Sequence, residues 1–184
     1  MDRVLDRIWT TETFLDWEDR QEGRFEFDGQ DVSAMTGGSF AHQRIVLNLC
    51  VALLGRLGEN AARLAQEMRL RIGTRIRYPD VLIASGPLAQ TTRTVTDAVA
   101  IFEVLSDDTA ATDRITKLIE YADVPSLRCY VLLEQAQRAA VVYRREGRGE
   151  WTATAHDSGH LTIAGTGLVV PLDALYRGLS FPAV

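Results

Sequence analysis

The sequence predicts a mixed α/β domain. Three observations carry that prediction. Apolar residues recur at helical spacing over residues 41–57, and from Arg63 they alternate with a period of two. The segment AVAIFEVL (98–105) is apolar except for Glu103, the signature of a strand buried on both faces at the centre of a sheet. The chain has 184 residues, 46% of them hydrophobic and 24% charged. That composition is globular, and the length suits one domain at about 150 residues per domain.

The elements follow in order. TETFLDWED (11–19) reads as a short amphipathic helix with an acidic first turn. In RFEFDGQDVSAM, Phe25 and Phe27 alternate with Glu26, and Asp28-Gly29 signals a hairpin. Ser39 caps a helix that runs to about Leu57, where Gly58 terminates it. Met68, Leu70 and Ile72 alternate with charged residues before the Gly73-Thr74 turn, and a second strand runs from Arg75 or Pro79 to Ala84. After the 98–105 strand comes a helix over about 109–122, stopped by Val124-Pro125. Strands follow at 128–134 and 138–145, weaker ones near 151–155 and 161–164, and a last helical turn near Leu172. Within one domain spanning 1–184, residues 1–36 form a helix and hairpin, 37–135 the core, and 136–184 the closing strands and short helix.

Composition excludes several classes. The longest apolar run, Leu49 to Leu54, is far short of the ~20 residues a bilayer span needs. Charges occupy MDRVLDRIW where a signal peptide needs its apolar core, so a cytoplasmic protein without a membrane partner is expected. Cys50 and Cys129 sit in apolar stretches and are expected reduced and buried; the three histidines show no zinc spacing. A net charge of −5 argues against nonspecific nucleic-acid binding by bulk electrostatics, though not against a local basic groove.

Three residues stand out for chemistry. Glu103 places a carboxylate in a core strand, which costs several kcal/mol unless it is paired, protonated or metal-bound. The bland alternative is a strand-edge side chain that exits to solvent or pairs with an arginine. Asp80 opens PDVLIAS at a strand start, a place for turn residues but also one where side chains converge at a sheet's end. Two carboxylates, retained waters and a substrate phosphate are what Mg²⁺ prefers. Lys117 is the single lysine among 20 basic residues, the rest being arginine. A compositional drift toward arginine spares a lysine where a compact, deprotonatable charge is required. Arg69, Arg71, Arg75 and Arg77 alternate along a hairpin, predicting guanidinium groups on one face: a nucleic-acid-binding ridge, or simply a solvated side of the ribbon.

The ordered blocks RFEFDG, AHQRIVLNL, RYPDVLIA, IFEVLS and DRITKLIEYADVP, with GTGLVVPLDALY near the end, resemble the Uma-two group of restriction endonuclease-like proteins. That group is a branch of the PD-(D/E)XK nuclease superfamily. The resemblance covers roughly residues 10–178 and implies a restriction-endonuclease-like mixed central sheet flanked by helices, an αβββαβ core with additional hairpins. It implies that Asp80 and Glu103 are the motif acids. The motif's lysine position holds Leu105, and Lys117 on the next helix stands in for it. Glu26 and His42 match further site positions, and the Val104 carbonyl is implied as a metal ligand. The resemblance further implies Mg²⁺ (or Mn²⁺) as cofactor, DNA as substrate and a homodimer for two-strand cutting. Asp107-Asp108 depart from the Ser and Pro more common there, and acids beside a phosphate channel repel DNA. They favour the alternative, a nuclease-like module that binds nucleic acid or protein without cutting; a third reading is a structural dimer joined through its carboxy-terminal strands.

Overall fold

The computed structural model describes residues 8–35, 37–105, 110–146 and 149–181. Asp107-Asp108 therefore lie outside the described residues. Helix α1 (Thr11–Glu18) is opened by a reciprocal capping box between Thr10 and Thr13. The hairpin of β1 (Phe25–Phe27) and β2 (Val32–Ala34) forms as expected. Asp28 Oδ1 accepts the N–H groups of Gln30 and Asp31, and Gly29 takes the positive φ of 101° that the turn requires. Helix α2 (Phe40–Leu57) begins where the Ser39 hydroxyl accepts the His42 N–H and ends at Gly58, with a 3₁₀ turn to Arg63.

The period-two stretch after Arg63 belongs to two sheets rather than one. It divides into β3 (Leu64–Gln66), β4 (Arg69–Ile72), β5 (Arg75–Arg77) and β6 (Val81–Ala84). The breaks fall at matching corners. Glu67 takes φ 45°, and opposite it lies Asp80, preceded by Pro79, which has no N–H for a ladder. The Glu67 N–H still reaches the Asp80 carbonyl at 3.1 Å, so the ribbon bends without losing register. A short β7 (Thr94–Val95) leads to β8 (Ala98–Leu105), then α3 (Ala110–Ala122) and β9 (Cys129–Glu134). The chain closes with β10 (Ala140–Arg145), β11 (Trp151–His156), β12 (His160–Ile163), β13 (Leu168–Pro171) and α4 (Leu172–Leu175).

The large sheet has the order β11-β10-β9-β8-β6-β3, and only its β8–β9 pair is parallel. That pair is joined through α3, a βαβ unit inside an otherwise antiparallel sheet. The small sheet runs β2-β1-β5-β4-β7, and β12 pairs with β13. All eight residues of β8 are buried, as its apolar run predicts. Ala100, Phe102 and Val104 face the core under α2; Ala98, Ile101 and Leu105 face the opposite core, which holds Tyr121 of α3. By alternation Glu103 belongs to the second face. A third cluster lies beneath α1, where Phe14 stacks on Phe27 with ring centroids 5.2 Å apart. Both cysteines are free and buried. By length and composition alone, α2 with its following turn is apolar enough to cross a membrane, but its inner face packs into the first core.

Candidate active site

Four segments meet near the carboxyl end of β8, the place where ligands gather in sheets with parallel crossovers. β8 supplies Glu103, whose residue is only 6% exposed. α3 leaves the sheet and returns over it, so Lys117, Glu120 and Tyr121, at i, i+3 and i+4, share the face that looks down on β8. Lys117 Nζ donates to Glu103 Oε1 at 3.2 Å, and the Tyr121 hydroxyl donates to the same oxygen at 2.6 Å. Burial pushes the Glu103 carboxyl up to about 7; the Lys117 ammonium and the Tyr121 hydrogen bond pull it back, while Asp80 and Glu26 raise it further. Burial likewise holds the Tyr121 phenol well above its ordinary value, so it remains a donor.

Asp80 sits between the β5–β6 corner and the start of α2. Its Oδ2 accepts the Val104 N–H at 2.7 Å and lies 3.2 Å from His42 Nε2. The hydrogen bond to Asp80 raises the His42 pKa, partly offset by burial. The first turn of α2 is shaped for that imidazole. A Cβ on Gly38 would lie 2.6 Å from His42 Nδ1, so only glycine leaves room for the ring. His42 Nδ1 is buried without a hydrogen-bond partner among the described residues. Among the described residues nothing donates to Asp80 Oδ1 or Glu103 Oε2.

Glu26 is brought near but not into contact with Glu103. Its Oε1 accepts the Tyr78 N–H and its Oε2 a guanidinium N–H of Arg77, both at 3.2 Å. Arg77 in turn clamps Glu120 with two bonds of 2.7 and 2.8 Å. The chain Glu26–Arg77–Glu120 thus joins the small sheet to the helix that carries Lys117.

The single-faced arginine ridge is corrected by register. The two-residue Gly73-Thr74 turn sets Ile72 opposite Arg75 and Arg71 opposite Ile76. Directly opposed residues share a face, so Arg69 and Arg71 lie on one side of the ribbon and Arg75 and Arg77 on the other. Each side meets acids from a different helix. Arg69 pairs with Glu18 and Asp19 at 2.9 and 2.7 Å, and Arg71 with Glu12 at 3.0 Å. Arg75 pairs with Asp123 at 2.8 Å on the opposite side, where Arg77 holds Glu120.

The sequence reading of the site did not include Tyr121, Glu120 or the tie through Arg77. Tyr121 had a legible signal, lying four residues after Lys117 and so one turn further along the same helix face. The Arg77–Glu120 pair had none, because its partners are remote in sequence and meet only through the fold.

Each of the two carboxylates keeps one oxygen without a donor among the described residues, and carboxylate oxygens are the ligands hard divalent cations take, with water completing the shell. Among the described residues no three His, Cys, Asp or Glu side chains converge into a cage that would bind a transition metal by itself. Carboxylate oxygens suit Mg²⁺ or Mn²⁺, hard cations that keep several waters in their shell.

Comparison with known proteins places the chain in a family. The profile of the Uma2 family, described as putative restriction endonuclease, matches residues 11–173. Uncharacterized protein slr1290 of Synechocystis sp. is 32% identical over 176 residues, covering 92% of each chain. Uncharacterized protein sll1609 of the same organism is 28% identical over 154 residues, covering 80% of this chain and 87% of its own. A crystal structure of a putative nuclease belonging to DUF820 from Anabaena variabilis superposes with a TM-score of 0.74 at 15% identity, over 91% of this chain and 97% of its own. That likeness fixes the fold as nuclease-like. Matched along most of its length, the chain belongs to the Uma2 family of putative restriction endonucleases.

Proposed function

We propose that this protein is a Mg²⁺- or Mn²⁺-dependent endonuclease that hydrolyses DNA phosphodiester bonds. The observation that carries the reading is Glu103, a buried carboxylate held on one oxygen by Lys117 and Tyr121 in the neighbourhood of Asp80. Its raised pKa comes first from burial, with Asp80 and Glu26 adding to it against Lys117 and Tyr121, and a carboxylate withdrawn from water in this way gains when a further cation joins it. Asp80 Oδ1 and Glu103 Oε2 are the atoms that would hold the metal. The Val104 carbonyl fits as a third ligand: extending the β6–β8 register sets Pro79 opposite it, and proline has no N–H to occupy that oxygen.

Bound there, the metal supplies Lewis acidity and a more acidic water. The protein's own groups do the positioning. Tyr121 and Lys117 fix Glu103 in one orientation, and His42 does the same for Asp80. The Lys117 ammonium stands beside Glu103, where it orients an attacking water and offsets charge building on the phosphoryl oxygens. Glu26 acts through charge, raising the proton affinity of Glu103 without touching it. Cutting both strands calls for two such sites, so the reading includes a homodimer.

Plasmid nicking tests this. The wild-type protein is expected to nick supercoiled DNA only when Mg²⁺ or Mn²⁺ is present; Glu103→Gln and Asp80→Asn are expected to be inactive and Lys117→Ala strongly slowed, all retaining their circular dichroism. A folded wild-type protein that retards DNA without metal-dependent cutting would overturn the proposal in favour of the binding module.

A further inference from the structure

The outer face of α2 carries a stripe that the candidate site does not use. Phe40, Leu47, Val51 and Leu54 are 69%, 52%, 64% and 45% exposed, although the opposite side of the same helix fills the core. With Arg44 and Gly58 they stand at 40, 44, 47, 51, 54 and 58. The steps of 4, 3, 4, 3 and 4 are the seam spacing of helices that pack as a coiled coil. The exposed apolar surface amounts to roughly 400–500 Å², the size of patch that marks an interaction site on a monomer. Flanking Gln43, Gly55 and Arg56 would bring a helix-on-helix contact toward the ~800 Å² per partner of a stable interface.

We infer that this stripe is a self-association surface, with α2 packing antiparallel against α2 of a second copy about a two-fold axis near Leu49. Three features of the stripe select a second copy as occupant. The spacing reads the same in both directions, so a two-fold sets Leu47 against Val51, Arg44 against Leu54 and Phe40 against Gly58, which places every seam position on another. The sizes are complementary: a Cβ on Gly55 or Gly58 would meet nothing within 4 Å, leaving open space where the partner's Phe40 ring arrives. The charges are complementary as well. The Arg44 guanidinium leans toward the helix N-terminus, its Cζ 5.2 Å from the centre of the Phe40 ring. In the antiparallel pair that is the end at which the exposed Glu59 of the other copy lies. Neither Arg44 nor Glu59 forms an ion pair with any described residue of its own chain, and the two-fold pairs them twice.

The inference names a face for the pairing included in the proposed function. It stands on α2 alone, so it is tested whether or not DNA is cut. Sedimentation velocity over a concentration series from low micromolar upward is the measurement. The wild-type chain is expected to dimerise, and Leu47→Glu with Val51→Glu to raise the dissociation constant at least tenfold with an unchanged melting temperature. Arg44→Glu and Glu59→Arg should each weaken the dimer, and the two together should restore it. A wild-type chain that stays monomeric overturns the assignment, as does a dimer indifferent to the glutamate pair or charge reversals that fail to rescue each other. Flotation of a monomeric chain with phosphatidylserine vesicles would also overturn it, assigning the stripe to a membrane surface.

Discussion

The β4–β5 hairpin and the carboxyl end of β8 both concentrate charge in a molecule with apolar cores, and they balance it in opposite ways. On the hairpin each arginine meets a carboxylate: Arg69 has two, Arg71 one, and Arg75 and Arg77 reach the acids of α3. At the β8 end a carboxylate is buried. Burial is the first cause of the raised proton affinity of Glu103; Asp80 and Glu26 add to it, while Lys117 and the Tyr121 hydrogen bond work against it. A matched network has no further use for a cation and serves to tie helices to a sheet. One built around a buried carboxylate is destabilised when empty and gains by binding.

Breaking the site around that carboxylate has the largest expected effect. Glu103→Gln should reduce metal-dependent cleavage to background. Lys117→Ala, which removes a charge-stabilising donor, should cost about 10²–10³ in rate while metal still binds. Single-turnover cleavage and calorimetric Mn²⁺ titration separate the two. If Lys117→Ala loses metal binding as completely as Glu103→Gln, the division of roles is wrong.

Breaking the matched network comes next. Arg77→Ala leaves Glu120 buried without its clamp and should destabilise the fold by about 3–5 kcal/mol in urea unfolding. Arg71→Ala, whose partner Glu12 is exposed, should cost under about 1 kcal/mol. Equal losses would erase the distinction between buried tie and surface pair.

The pH dependence sharpens the comparison further. The folded-state pKa of Glu103 is raised from 4.5 to about 7, so the native state holds a proton that the unfolded chain releases. Stability without metal should therefore fall as pH rises from about 4.5 and level off above about 7, by up to about 3 kcal/mol. The raised His42 pKa acts in the same direction: its contribution is complete below 6.5 and lost as pH rises through the folded value. Urea midpoints of wild type and Glu103→Gln between pH 5 and 8 check this. The wild type should show the steeper decline, and saturating Mg²⁺ should flatten it; parallel curves would contradict the assignment.

Most of this architecture was legible in the chain. The apolar run around Glu103, the Ser39 cap and the Asp28-Gly29 turn each follow from a local rule, and the structure obeys them. The lone lysine of the sequence, Lys117, lies beside Glu103. What was not legible depended on three-dimensional register. Period-two alternation looks the same whether a ribbon stays in one sheet or bends between two, so the corners at Glu67 and Pro79 were hidden. The arginine faces differ from the one-sided expectation for a related reason, since a two-residue turn pairs odd-numbered with even-numbered positions and so puts the odd positions of the two strands on opposite faces.

The central claim is that Asp80 and Glu103 share one divalent cation. Anomalous scattering from a Mn²⁺-soaked crystal near pH 8, where Glu103 is ionised, tests it most directly. The account predicts a single peak about 2.1 Å from Asp80 Oδ1, Glu103 Oε2 and the Val104 carbonyl, absent in Glu103→Gln. A peak elsewhere, or density at that position showing only the Lys117 ammonium and water, would contradict it.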